Sequence, residues 1–156
     1  MTSTMRFDKW ENSLGQPYGT VLQVVTGSTS TFISTTSLSY IDTGLTATIT
    51  PRFSNSRILI IVSQLGSGKS AGGVNTSQNL QIVFPNATTQ LLGNGIGFTG
   101  TTIEGRFDTT GVVIYNPAST SPQTFKTQFS NASIQGSAQV QHNSAVSTIT
   151  LMEIAQ

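Results

Sequence analysis

Cysteine is absent from the 156 residues. That excludes disulfides, thiolate metal sites and a cysteine nucleophile, and it leaves the redox compartment open. Charge is scarce as well. Lys and Arg number seven and Asp and Glu six, so 8% of the chain is charged, where soluble domains carry about 25%. A formal net charge of +1 offers no basic surface to nucleic acid and no polybasic stretch to a membrane. It also gives copies of the chain little electrostatic reason to repel one another. With His142 as the single histidine, imidazole-rich zinc sites are excluded. Long apolar runs are missing too. The longest, Ile58 to Val62, is strand-sized and far from the ~18 residues of a membrane span. The N-terminus lacks the apolar core of a signal peptide, so a soluble chain with no visible export signal is expected.

What fills the chain is polar and small: 25 Thr and 20 Ser, with many Asn and Gln. Threonine is β-branched and favours strands, whereas Ser, Asn and Gly favour turns. Helix formers are few, and no apolar i, i+3, i+4, i+7 stripe persists for a full helix. From Thr20 onward the pattern is a series of short strands broken by turns. Thr20 to Val25 opens it, with weaker candidates at Thr31 to Ser34 and Ser37 to Ile41. Leu45, Ala47 and Ile49 alternate with threonines until Pro51, the pattern of a strand with one wet face. Arg57 to Leu65 is apolar at its centre and predicts an interior strand. Leu80 to Phe84, Leu91 to Leu92, Thr101 to Phe107 and Gly111 to Tyr115 follow. Phe125, Thr127 and Phe129 alternate with polar residues, and Ser133 to Val140 and Val146 to Ile154 complete the series. Strands without intervening helices pair antiparallel. The expected fold is therefore all-β, an antiparallel two-sheet sandwich of the jelly-roll kind, with an immunoglobulin-like sandwich second.

Residues 1–18 differ from the rest. Arg6, Asp8, Lys9 and Glu11 place four of the thirteen formally charged residues within six positions, around Trp10, the only tryptophan. Gly15, Pro17 and Gly19 follow as a hinge. This reads as an extended N-terminal arm on a β-sandwich of residues 19–156. Its alternative is an edge segment with Trp10 as a core anchor.

Few residues offer chemistry. Gly66-Ser67-Gly68-Lys69-Ser70, after an apolar strand, resembles the end of a phosphate-binding loop. However, Ser63 stands where the pattern needs glycine, and Ala71-Gly72-Gly73 is poor helix material. The stretch Gly66 to Asn79 is instead expected to be a long exposed loop in which Lys69 is dispensable, and Gly93 to Gly100 a similar one. Glu104 and Asp108 share a strand face with Arg106 between them, a structural ion cluster more than a pair of catalytic carboxylates. No serine stands in a Gly-x-Ser-x-Gly elbow. Three glycosylation-type triplets, at Asn75, Asn86 and Asn131, are expected by chance in such a composition. The aromatic residues are spread through strand positions, as core packing requires, although a weak carbohydrate-binding surface stays open. No catalytic residue, cofactor or metal ligand is expected, and the chain reads as a non-enzyme.

Three phrases occur in order: Gly19-Thr20-Val21-Leu22-Gln23-Val24-Val25, Asp42-Thr43-Gly44-Leu45-Thr46-Ala47-Thr48-Ile49-Thr50-Pro51, and Ser54-Asn55-Ser56-Arg57-Ile58-Leu59-Ile60. Ser147-Thr148-Ile149-Thr150-Leu151-Met152-Glu153-Ile154-Ala155 closes the chain. Together these resemble a β-domain of tailed-bacteriophage virion proteins, found in tail-fibre segments and in small capsid-surface proteins. Arg6-Phe7-Asp8-Lys9-Trp10-Glu11-Asn12 also looks like the start of such proteins. The resemblance implies a homotrimer on the virion surface, assembled in the host cytoplasm. With no shaft of a fibre in view, it implies a capsid decoration (cement) protein, its partners being itself and the major capsid protein or another virion protein. The arm residues Arg6, Phe7, Asp8, Lys9 and Trp10 would attach it to the particle. The competing expectation is a tail-fibre or appendage adhesin that binds host-surface glycan.

Overall fold

The computed structural model describes Glu11 and residues 19–70 and 72–156. The expected arm, including Arg6, Phe7, Asp8, Lys9 and Trp10, lies outside the described residues. Ten strands carry the rest: β1 (Val21–Thr29), β2 (Ile33–Thr35), β3 (Ile41–Ile49), β4 (Arg57–Lys69) and β5 (Gln78–Val83) come first. Then follow β6 (Thr89–Ile96), β7 (Gly105–Tyr115), β8 (Gln123–Asn131), β9 (Ala138–Val140) and β10 (Ser147–Ile154). Among the described residues the only helical turn is a short 3-10 piece at His142–Ser144.

These strands form two antiparallel sheets, as the threonine-rich alternation predicts. One runs β1-β10-β4-β9-β2, with β7 on the other edge of β4; the second runs β3-β8-β5-β6. They pack face to face as a jelly-roll-like sandwich. Leu45, Ala47 and Ile49 of β3 and Phe125 of β8 meet Ile58, Ile60 and Val62 of β4, with Ile149 and Leu151 of β10. A second cluster of Leu80, Phe129, Ala138 and Val140 continues the core toward the far end. Phe84, Tyr115 and Phe125 seal the near end, with Phe84 and Tyr115 stacked at 5.2 Å and Phe125 edge-on to both. The sheets close tightly where β1 crosses β3. A Cβ on Gly27 would stand 1.9 Å from the Thr46 carbonyl oxygen, so only glycine fits there.

Several strand boundaries differ from the sequence expectation. Gly66 to Lys69 is not loop but the last turn of pleat in β4, paired with both β7 and β9. A register shift between Gln64 and Ser67 admits Gly66, at φ +58. Gly68, at φ +147, runs so close to β7 that a Cβ would stand 2.0 Å from the Gly105 carbonyl oxygen. Likewise Thr76, Ser77 and Gln78, expected in the same exposed loop, are buried. Gly93 to Ile96, also expected as loop, belongs to β6. The two segments expected at Thr101 to Phe107 and Gly111 to Tyr115 are one strand, β7, beginning at Gly105. Gly111, expected to open a strand, lies inside β7 and makes room for Leu92, whose Cδ2 would lie 2.8 Å from a Cβ there. Ser37 to Tyr40 stays outside the sheets, and Ser133 to Val140 contributes only its last three residues.

Candidate assembly surfaces

The pleat of β4 leads to the most distinctive surface. Its apolar run points two ways: Ile58, Ile60 and Val62 are fully buried, while Leu59 and Ile61 face outward and are half-buried. Interior position in the sheet therefore does not mean covered on both faces. The antiparallel registers extend these two residues into rows. Leu59 pairs with Met152 of β10 and Ile114 of β7, and Met152 pairs with Val24 of β1. One row along, Ile61 pairs with Thr150 and Val112, and Thr150 with Thr26. The next row is all hydroxyl, with Ser63, Thr148, Ser28 and Thr110. Val112, Ile114 and Val24 are 62%, 58% and 53% exposed. Six of these twelve side chains are apolar, six are hydroxyls and none is charged.

The opposite outer face, on the four-stranded sheet, is polar. Asp42 of β3 accepts hydrogen bonds from Lys126 Nζ at 2.9 Å and Gln128 Nε2 at 2.7 Å, both from β8. Gln81 Nε2 of β5 donates to Gln128 Oε1 at 3.1 Å, extending the network across a third strand. Partial burial works to raise the Asp42 carboxyl, but the two hydrogen bonds and the Lys126 charge outweigh it and hold it below its ordinary range. Beside this network lies an open depression of about 350 Å³, walled by Val83, Phe84, Pro85 and Pro122 with Lys126 at its edge.

The residues singled out in the sequence are dispersed. Glu104 and Arg106 form the expected ion pair. Asp108 is not part of it; its carboxylate accepts the Gly66 backbone N–H at 2.9 Å. His142 packs edge-on against Phe32, ring centres 5.7 Å apart. Of the three glycosylation-type asparagines, Asn131 is buried and donates to the Gly136 carbonyl at 3.0 Å. Among the described residues no cluster of three His, Asp or Glu could hold a metal, and no helix is long and apolar enough to cross a membrane.

Lys69 is where the sequence expectation fails outright. It is fully buried, and its ammonium donates to the carbonyls of Gly73 at 3.0 Å and Thr101 at 2.6 Å. Its own carbonyl accepts from Arg106 Nη1 at 2.6 Å. Lys69 is thus a bolt between the loops that follow β4 and β6. Nothing in Gly-Ser-Gly-Lys-Ser signals this, because both acceptors are main-chain groups of unremarkable residues. The apolar outer face did carry a signal: Val112 and Ile114 alternate with core-facing Val113, and Leu59 and Ile61 with Ile58 and Ile60. Strands apolar on both sides need two covers.

No protein-family profile and no curated protein matches the chain. Solved structures do. The VP2 subviral particle of infectious bursal disease virus matches with a TM-score of 0.50 over 97% of this chain and 43% of that one, at 12% identity. A mutant VP2 of the same virus, in derived T=1 particles, matches at 0.50 over 96% and 40%, again at 12% identity. The chain thus spans about two-fifths of the structures it matches. At this identity the likeness is one of fold: the sandwich is of the kind used in a viral capsid protein.

Proposed function

We propose that this chain is a non-enzymatic structural protein of a virus particle. In the finer reading it is a trimeric capsid decoration (cement) protein of a tailed bacteriophage. It is assembled in the host cytoplasm, lies on the virion surface and binds the major capsid protein or another virion protein. The observation that carries this reading is the capsid-type sandwich, matched over nearly the whole chain, together with three uncharged rows on its outer face, bordered by Arg57. Adhesion needs such surfaces, whereas catalysis needs convergent polar groups. The N-terminal arm supplies attachment. Trp10 offers a large aromatic anchor, and Arg6, Asp8 and Lys9 around it fix register, the composition of a binding hot spot. Deleting residues 1–12 tests this. The body is expected to stay folded and trimeric and to lose the particle. Trp10→Ala is expected to weaken attachment at least about thirtyfold while leaving the melting temperature unchanged. A mutant that melts early or binds normally overturns the arm reading.

A second reading, a tail-fibre or appendage adhesin for host glycan, is favoured by one feature. The depression beside Lys126 joins an apolar wall to the polar Asp42, Gln128 and Gln81 network. Glycan-array binding abolished by Lys126→Ala supports it; no binding at millimolar sugar refutes it.

A further inference from the structure

We propose that the outer face of the six-stranded sheet, centred on Leu59, Ile61, Val112 and Ile114, is the surface on which copies of this chain associate around a common axis. The proposal rests on the trimeric reading above for its number of copies, and on the structure for its location.

Three observations single out the chain itself as the occupant. The first is charge. The rows from Val24 to Ile114 and from Thr26 to Val112 contain no ionisable side chain. A distinct partner is usually selected by charges and directed hydrogen bonds. Interfaces between identical copies are instead richer in apolar surface, and a net charge of +1 opposes them little.

The second is layering. An axis parallel to the strands brings each row against the same row of the next copy. Val24, Met152, Leu59 and Ile114 then close an apolar layer. Ser28, Thr148, Ser63 and Thr110 close a hydroxyl layer, in which each group can both donate and accept. Thr26 and Thr150 already approach to 3.4 Å between their hydroxyls within one chain.

The third is size. Four strands about 4.8 Å apart make a face about 19 Å wide, and the three uncharged rows, about six residues of strand, make it about 20 Å long. Three such faces closing on an axis leave about 5.5 Å between axis and sheet. That is half the ~10 Å at which sheets pack, so side chains fill the centre without a channel. Each copy would bury a flat area of about 400 Å² there, bordered by Arg57, which pairs with Ile154 in the next row.

The test is Val112→Lys with Ile114→Lys, two positions already exposed in the single chain and so able to change without harming its core. Light scattering with sedimentation at about 100 μM reads the association. Wild type is expected to be trimeric and the double variant monomeric, its association weakened at least about a hundredfold, with an unchanged β-type circular dichroism spectrum. Val24→Lys, on the opposite edge of the face, repeats the test should the double variant fail to fold. Gln81→Lys, on the other sheet, is expected to leave the trimer intact. A wild-type monomer, or variants that stay trimeric, overturns the proposal. So does a double variant that stays trimeric but no longer binds particles, because the face then belongs to the particle. A dimer abolished by the lysines keeps the face and overturns the number three. A trimer abolished by them that binds no particle in its wild-type form keeps the face and overturns the virion reading.

Discussion

Replacing Lys69 removes the bolt that joins two loops to the end of β4. Lys69→Ala deletes three methylenes from a fully buried site, about 2.4 kcal/mol at ~0.8 kcal/mol each. It also strips the Gly73 and Thr101 carbonyls of their donor, costing about 1–3 kcal/mol for each carbonyl left unsatisfied. Against this, a buried ammonium no longer has to be desolvated, which returns several kcal/mol. The net expectation is a loss of about 3 kcal/mol. For a chain of this length that lowers Tm by about 6–12 °C. Lys69→Met keeps the apolar stem and removes only the amine, and is expected to cost about 1 kcal/mol. Thermal unfolding followed by circular dichroism, with urea titration for the free energies, measures both. If both variants fall within about 0.5 kcal/mol of wild type, as surface substitutions do, Lys69 is not the buried bolt described here.

Ser147 is a second internal junction, since its hydroxyl accepts from Gln64 Nε2, the Leu65 N–H and Gln141 Nε2 at 2.8, 2.9 and 3.2 Å. Ser147→Ala is expected to cost about 2 kcal/mol in urea unfolding, and an unchanged midpoint would refute the junction. The Asp42 carboxyl is held below its ordinary range. Its contribution is therefore present above the unfolded-state pKa, about 3.9, and is lost as pH falls through the lower folded value. Because Asp42 and Lys126 are largely exposed, the effect is under about 1 kcal/mol and salt-sensitive. Asp42→Asn is expected to flatten the stability profile below pH 4 and to lower stability by that same small amount, independent of pH, between pH 5 and 8. Far-UV circular dichroism is expected to show β structure with little helix; a helix content above about a quarter contradicts the fold.

The fold was legible wherever a strand reports its own environment. Leu45, Ala47 and Ile49, or Phe125, Thr127 and Phe129, alternate because one side of each strand meets the core, and all six are buried. Legibility ended where the environment is nonlocal. Gly66 to Lys69 reads as loop by composition, yet a bulge and the close pass of β7 make it strand. Gly111 reads as the start of a strand, yet it lies inside β7, and the reason for glycine there is Leu92, nineteen residues earlier. The surfaces divide in the same way. Apolar residues on both sides of β4 and β7 are visible in the sequence, but only the register aligns Val24, Met152, Leu59 and Ile114 into one row.

A reconstruction of the virion tests the central claim most directly. The account predicts density for this chain over the head, in groups of three, with the rows of Leu59 and Ile61 turned toward the local axis and Trp10 seated against the capsid. Copies confined to the tail, or a particle without this protein, would contradict it.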